Sequence, residues 1–137
     1  MSFTGIKRLL LIGSKLKTPS PLEKGRFDLV TMFTYLSSVL DNNIRRRICQ
    51  QTLAILCPGG RVLIYDFRVN NPFNPDIKAV TLKELKQYFR CCKYYTKTLT
   101  LLPQLGRTLG VYSMSLCCLL AKIPFLRTHR MTMFQKP

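Results

Sequence analysis

The stretch Cys57-Pro58-Gly59-Gly60-Arg61-Val62-Leu63-Ile64-Tyr65-Asp66-Phe67-Arg68-Val69-Asn70-Asn71 decides how the rest of the chain is read. Pro58 cannot continue a helix, and Gly59 and Gly60 allow a reversal without a side-chain penalty. Arg61 to Phe67 is too short for a helix of its own and is rich in Val, Leu, Ile, Tyr and Phe, which suits a buried central parallel strand. Helix stop, tight turn, buried strand and polar loop in that order make the back half of an α/β unit. In open α/β sheets ligands sit beyond the carboxyl ends of such strands. Asp66, Arg68, Asn70 and Asn71 are therefore expected on the rim of a site.

Working upstream, Phe27 to Phe33 is apolar and β-prone, and Thr34, Tyr35, Ser37 and Ser38 suit a turn after it. Asp41, Asn42 and Asn43 can cap a helix by accepting from its orphan amides. Ile44, Ile48, Thr52, Ile55 and Leu56 fall on one face of that helix, with Arg45, Arg46, Arg47, Gln50 and Gln51 on the others, and Pro58 ends it. Strand, helix, strand at this spacing is a right-handed parallel crossover. Lys7 to Ile12 fits a strand and a helical face equally well, and Thr18 to Gly25 reads as a loop, so residues 1–26 stand apart as an N-terminal segment and linker.

Downstream, Thr81 and Glu84 form a capping-box pattern, each side chain placed to satisfy the other residue's amide. The short helix after them turns Leu82, Leu85, Tyr88 and Phe89 inward, and Tyr94 to Leu102 alternates as a strand closed by Pro103. Leu105, Leu109, Tyr112, Leu116, Leu119 and Ile123 recur at steps of four and three, the stripe of a core or surface-docking helix that Pro124 breaks. His129 to Phe134 is a last short strand.

A chain of 137 residues makes one domain, and 22 Lys and Arg against 6 Asp and Glu give it a formal charge of +16. Such a balance attracts nucleic acid, anionic membrane surfaces or acidic partners. The basic residues are spread along the chain, so a solvated basic surface explains them as well as a binding stripe does. Cys49, Cys57, Cys91, Cys92, Cys117 and Cys118 include no Cys-x-x-Cys, which gives zinc ligation no support. No secretory signal is present, so reduced, buried thiols in a cytoplasmic protein are expected. His129, the one histidine, fits a strand end better than a catalytic base. No apolar run reaches the roughly 18 to 20 residues of a spanning helix.

From Phe27 to Pro137 the chain resembles the C-terminal half of a class I S-adenosylmethionine-dependent methyltransferase, of the small-molecule kind called methyltransferase type 11. The resemblance rests on Arg26-Phe27-Asp28-Leu29-Val30 ahead of the Phe33 to Asp41 turn, and on the Leu56 to Phe67 unit. The Arg68 to Pro75 loop and the ending Ile123 to His129 complete it. It implies an α/β fold with a partial Rossmann-like sheet. Where the family's strand order is 3-2-1-4-5-7-6, the strands here match 4-5-7-6, with His129 to Phe134 inserted antiparallel and strands 1 to 3 missing. Only 13 residues separate Gly13 from Phe27, whereas two crossovers need roughly 60. Lys15 and Leu16 stand where the family's Gly-rich cofactor loop requires glycine.

The resemblance implies S-adenosylmethionine as cofactor, with Phe33, Thr34 and Tyr35 flanking its methionine and sulfonium end. It places Asp66, Arg68, Asn70 and Asn71 on the substrate side, where a carboxylate can orient a small-molecule acceptor and an arginine can hold an anionic group. Beside each role stands a simpler one: turn shaping for the first three, loop hydrogen bonding for Arg68 and the asparagines. Catalytic residues stay unassigned, because methyl transfer depends on alignment more than on a strong base. The expected enzyme is truncated and incomplete alone, needing a complementing chain or a longer form, and its Phe27 to Phe33 edge invites self-association unless Lys7 to Ile12 covers it; a decayed, inactive product fits the same sequence. The alternative is a non-catalytic basic module binding RNA or an anionic membrane through the Arg45 to Arg47 run and the Leu105 to Ile123 stripe.

Overall fold

A central strand needs a neighbour on each side, and Arg61 to Phe67 has both, with its Val62, Ile64 and Asp66 face buried and its other face half-buried. The computed structural model describes residues 6–12, 24–70, 74–101, 111–120, 122–123 and 126–137. Their elements are β1 (Leu9–Ile12), β2 (Phe27–Phe33), α1 (Asn42–Ile55), β3 (Leu56–Phe67), α2 (Leu82–Tyr88), β4 (Lys93–Leu101), α3 (Met114–Leu120) and β5 (Arg127–Gln135). They build a 5-stranded sheet in the order β1-β2-β3-β5-β4. β1, β2 and β3 run parallel, while β5 enters antiparallel to both β3 and β4. The late antiparallel insertion expected of His129 to Phe134 is present.

Register explains the core. Val30 pairs with Val62, Val62 with Phe134 and Phe134 with Tyr94, so these side chains share one face of the sheet. Val30, Met32, Val62, Ile64 and Phe134 from that face form one buried cluster with Ile48, Cys49 and Ile55 of α1 and Leu85 and Phe89 at α2. Phe89 stacks on Phe134 with ring centroids 4.6 Å apart. Each such side chain contributes about 1.5–3 kcal/mol by leaving water.

The segment that fitted strand and helix equally is a strand. β1 pairs along β2, Leu9 with Leu29 through Ile12 with Met32. The Asp28 carboxylate anchors it by accepting from the amides of Lys7 and Arg8 at 3.1 and 3.0 Å. The Phe27–Phe33 edge is therefore covered by the Lys7 to Ile12 segment, the one arrangement in which it is not open to association, and β1 adds a strand to the four read from the sequence.

Arg45 corrects the helical-wheel reading most sharply. It was placed among the outward arginines, yet it is fully buried. Its Nε donates to Val39 O at 2.6 Å, its Nη2 to Lys78 O at 2.7 Å, and its Nη1 to Ala79 O and Glu84 Oε1, each at 3.3 Å. Three carbonyls and a carboxylate replace the water a guanidinium loses. Ile44, assigned inward, is exposed instead. The capping box is half made: Thr81 Oγ1 accepts from Glu84 N at 3.2 Å, but the Glu84 carboxylate turns to Arg45 and to the Tyr88 hydroxyl at 2.7 Å.

α1 ends at Ile55, three residues before Pro58, and Leu56 already pairs with Phe27. Asp41 caps its start as expected, accepting from the Asn43 and Ile44 amides. Lys136, just past β5, donates to Leu53 O at 2.8 Å and Leu56 O at 2.7 Å. A cation there satisfies carbonyls that the last turn leaves unpaired. Gly59 sits at φ +73, and a Cβ on Gly60 would lie 2.8 Å from Cys57 O, so both glycines are required at this crossing.

Of the apolar stripe, Leu105 and Leu109 lie outside the described residues, as do Leu102, Pro103 and Pro124. Of the described part, Leu116 and Leu119 lie on the short α3, which buries none of its residues, and Tyr112 and Ile123, outside it, are exposed. All six cysteines are free, but only Cys49 is buried; Cys91 and Cys118 are exposed, which departs from the expectation of buried thiols. Among the described residues no helix is long and apolar enough to cross a membrane.

Candidate functional site at the carboxyl end of the sheet

β2 and β3 end side by side, Phe33 opposite Tyr65, and the chain turns sharply after each. Thr34 takes a left-handed conformation at φ +48. Its amide donates to Tyr65 O at 2.7 Å, which carries the ladder one residue beyond β2. A β-branched residue in that conformation is strained and persists because its surroundings impose it. Phe33 is 42% exposed, with its ring 6.2 Å from that of Tyr65. Tyr35 instead packs against the buried cluster, and its carbonyl accepts from the Ser38 hydroxyl at 2.7 Å.

Asp66 is buried where β3 ends. Its Oδ2 accepts from Ser37 N at 3.1 Å and its Oδ1 from Phe67 N at 3.0 Å, so it staples the turn after β2 to the end of β3. Burial pushes its carboxyl above the ordinary range, while hydrogen bonds from Ser37, Phe67 and Leu36 pull it back. Arg68 N donates to Thr128 O at 2.9 Å and its Nη1 to Arg127 O at 3.3 Å, which fixes the guanidinium beside the start of β5. Asn70 Oδ1 accepts from Ala79 N at 2.7 Å and closes the polar loop. Asn71 lies outside the described residues.

Phe33, Thr34, Asp66 and Arg68 are thus at one end of the sheet, while Tyr35 faces the core and Asn70 secures a loop. Residues of β3 and β5 belong with them. His129 pairs with Phe67 across β3 and β5; its ring lies 5.0 Å from Tyr65 at an interplanar angle of 4° and 4.1 Å from Phe67. Phe33, Tyr65, His129 and Phe67 form an aromatic row on the sheet face opposite Asp66. Thr128 Oγ1 lies 2.9 Å from His129 Nδ1, and burial holds the imidazole below its ordinary value against the opposing pull of the Asp66 charge. Arg130 stands opposite Asp66. The alternation of Tyr65, Phe67 and His129 was visible in the sequence, but the register that aligns them was not.

This end of the sheet carries the aromatic row on one face and Asp66 and Arg130 on the other, with Arg68 just beyond β3. No protein-family model matches the chain, and no curated protein matches it. Solved structures do match. A SAM-dependent methyltransferase from Archaeoglobus fulgidus superposes with a TM-score of 0.60 at 13% identity, covering 84% of this chain and 62% of that one. Phosphoethanolamine N-methyltransferase 2 of Haemonchus contortus, solved with S-adenosyl-L-methionine, matches at 0.58 and 12% identity over 85% of this chain and 34% of its own. The [4+2]-cyclase SpnF matches at 0.58 and 13% identity over 87% and 53%.

The fold is that of the class I S-adenosylmethionine-dependent methyltransferases. This chain spans less than two thirds of the length of each of those three structures. The presence of a cyclase among them means that the sheet alone does not fix the reaction.

Proposed function

We propose that the chain is the acceptor-side part of an S-adenosylmethionine-dependent methyltransferase acting on a small molecule. The observation that carries this reading is the placement of Phe33, Thr34, Asp66 and Arg68 at the carboxyl ends of β2 and β3, in a sheet whose last strand enters antiparallel beside β3. In this reading Phe33 and Thr34 flank the methionine end of the donor, and Asp66 holds the turn that presents them. Tyr65 and His129 supply the surface against which an acceptor lies. The donor, when bound, supplies an electrophilic methyl group; the chain's own residues orient the acceptor and exclude water.

The donor side is incomplete in this reading. Gly13-Ser14-Lys15-Leu16 follows β1 where the family needs a Gly-rich loop, and the stretch before Phe27 is too short for two further crossovers. A complementing chain or a longer native form would complete it. Reading the DNA immediately upstream of the Met1 codon tests the second route. An in-frame or frameshifted Gly-rich segment supports a longer methyltransferase, whose expression should restore transfer of label from methyl-labelled S-adenosylmethionine. An upstream region with no such segment in any frame would sink that version.

A further inference from the structure

Arg130 carries a buried donor that no described residue satisfies. Among the described residues, its Nη1 is removed from solvent and has no hydrogen-bond partner. Buried guanidinium nitrogens in folded proteins are almost always satisfied, because the desolvation is expensive. Arg45 shows how this chain meets that cost elsewhere, with three carbonyls and a carboxylate.

The neighbours of Arg130 sharpen the anomaly. Asp66 is its cross-strand partner in β3, yet both Asp66 oxygens accept from backbone amides, those of Ser37 and Phe67. Arg68 follows two residues later and is fixed to the start of β5 through Thr128 O and Arg127 O. Its positive charge works against that of Arg130, and burial works in the same direction. Two guanidinium groups at the carboxyl end of an open α/β sheet, one with a dry, unused donor, are the arrangement that a bound anion stabilises. Arginine suits oxyanions in particular, because its planar fork matches carboxylate and phosphate oxygens.

We propose that Arg130 and Arg68 together form an oxyanion subsite for the acceptor, holding a carboxylate or phosphate group at the carboxyl end of β3 and the start of β5. This deepens the acceptor-side reading and rests on it for the word acceptor; the subsite itself stands without it. The substrate class is then a small molecule bearing an acidic group remote from the atom that is methylated. Arg130 acts as a binding residue, with Nη1 as the donor waiting for the anion.

Thermal unfolding in a non-coordinating buffer tests the proposal, with inorganic phosphate and acetate as separate probes against sodium chloride at matched ionic strength. Phosphate or acetate should raise the Tm of the native sequence by about 5 °C near saturation, more than chloride does. The more effective probe identifies the phosphate or the carboxylate class. Arg130→Met and Arg68→Gln should lose the response, while Arg46→Gln, which removes a charge from the exposed face of α1, should keep it. Without added anion, Arg130→Met should be at least as stable as the native chain, since the unpartnered group is gone. If that variant fails to fold, Arg68→Gln carries the test. A response no larger than that to chloride, its survival in Arg68→Gln, or its equal loss in Arg46→Gln overturns the proposal. The donor is absent throughout, so failure here leaves the methyltransferase reading standing, and failure to bind donor leaves the subsite standing.

Discussion

Arg45 Nη1 lies 3.3 Å from Glu84 Oε1, with the arginine side chain wholly removed from water and the glutamate nearly so. The pair ties α1 to α2 beneath the polar loop that follows β3. Removing one partner of such a pair leaves an uncompensated charge, so Glu84→Gln should lower unfolding free energy by about 3 kcal/mol. Arg45→Met with Glu84→Gln together should lose at least as much, because the carbonyls of Val39, Lys78 and Ala79 then lose their donor as well. Urea unfolding of the two variants checks this; a double variant more stable than Glu84→Gln alone would show that those carbonyls do not depend on Arg45.

His129 sets a pH dependence. Burial lowers its pKa below the ordinary 6.5, so the folded chain takes up its proton less readily than the unfolded one. Stability is then full above about pH 6.5 and falls as the pH drops through the lowered value. Asp66 acts with the opposite sign: its raised pKa favours the protonated folded form, in the acid range above its ordinary 3.8. The histidine contribution lowers Tm as the pH drops below about 6.5, against the opposing contribution of Asp66. His129→Gln should flatten the slope, and an unchanged slope would remove His129 as its origin.

Thr34 is strained at φ +48, and glycine adopts that conformation freely. Thr34→Gly should therefore raise stability by up to about 1 kcal/mol, the left-handed strain of about 1–2 kcal/mol being relieved and glycine's greater freedom in the unfolded chain offsetting about 0.5–1 kcal/mol of it. Chemical denaturation measures the change. A loss of more than about 1 kcal/mol would mean that the Thr34 side chain holds the turn, contrary to the strain argued for it.

Cys49 is buried against α2, and desolvation, with Glu84 adding to it, pushes its thiol up to about 12. A thiol in that state is a poor nucleophile. Alkylation of the native chain at pH 8 followed by mass spectrometry should label the exposed Cys91 and Cys118 and spare Cys49. Early labelling of Cys49 would show that α1 opens readily from the sheet.

The parts of the fold legible in the sequence were those written in local chemistry. Asp41 announced the start of α1, the β-branched and aromatic run announced β3, and Thr81 announced α2. The antiparallel entry of β5 came from family order rather than from local signal. What stayed hidden depended on distant partners. Arg45 looks like any outward arginine until the carbonyls of Val39, Lys78 and Ala79 are brought around it. Leu9–Ile12 is apolar in both of its possible periods, and only the edge of β2 decides for a strand. At the site, Asp66 and Arg68 were found by position at a strand end. Arg130 and His129 were passed over because their meaning comes from cross-strand register, which no single segment contains.

In the proposed function this chain takes the acceptor, and another segment completes the donor side. Titration of S-adenosylmethionine into the isolated, isotope-labelled chain, followed by calorimetry and amide NMR, tests this most directly. The account predicts no saturable uptake at micromolar donor, with any shifts at millimolar donor gathered on Phe33, Thr34 and Tyr65. Saturable micromolar binding by the chain alone would contradict it, since the donor pocket would then be complete without another segment.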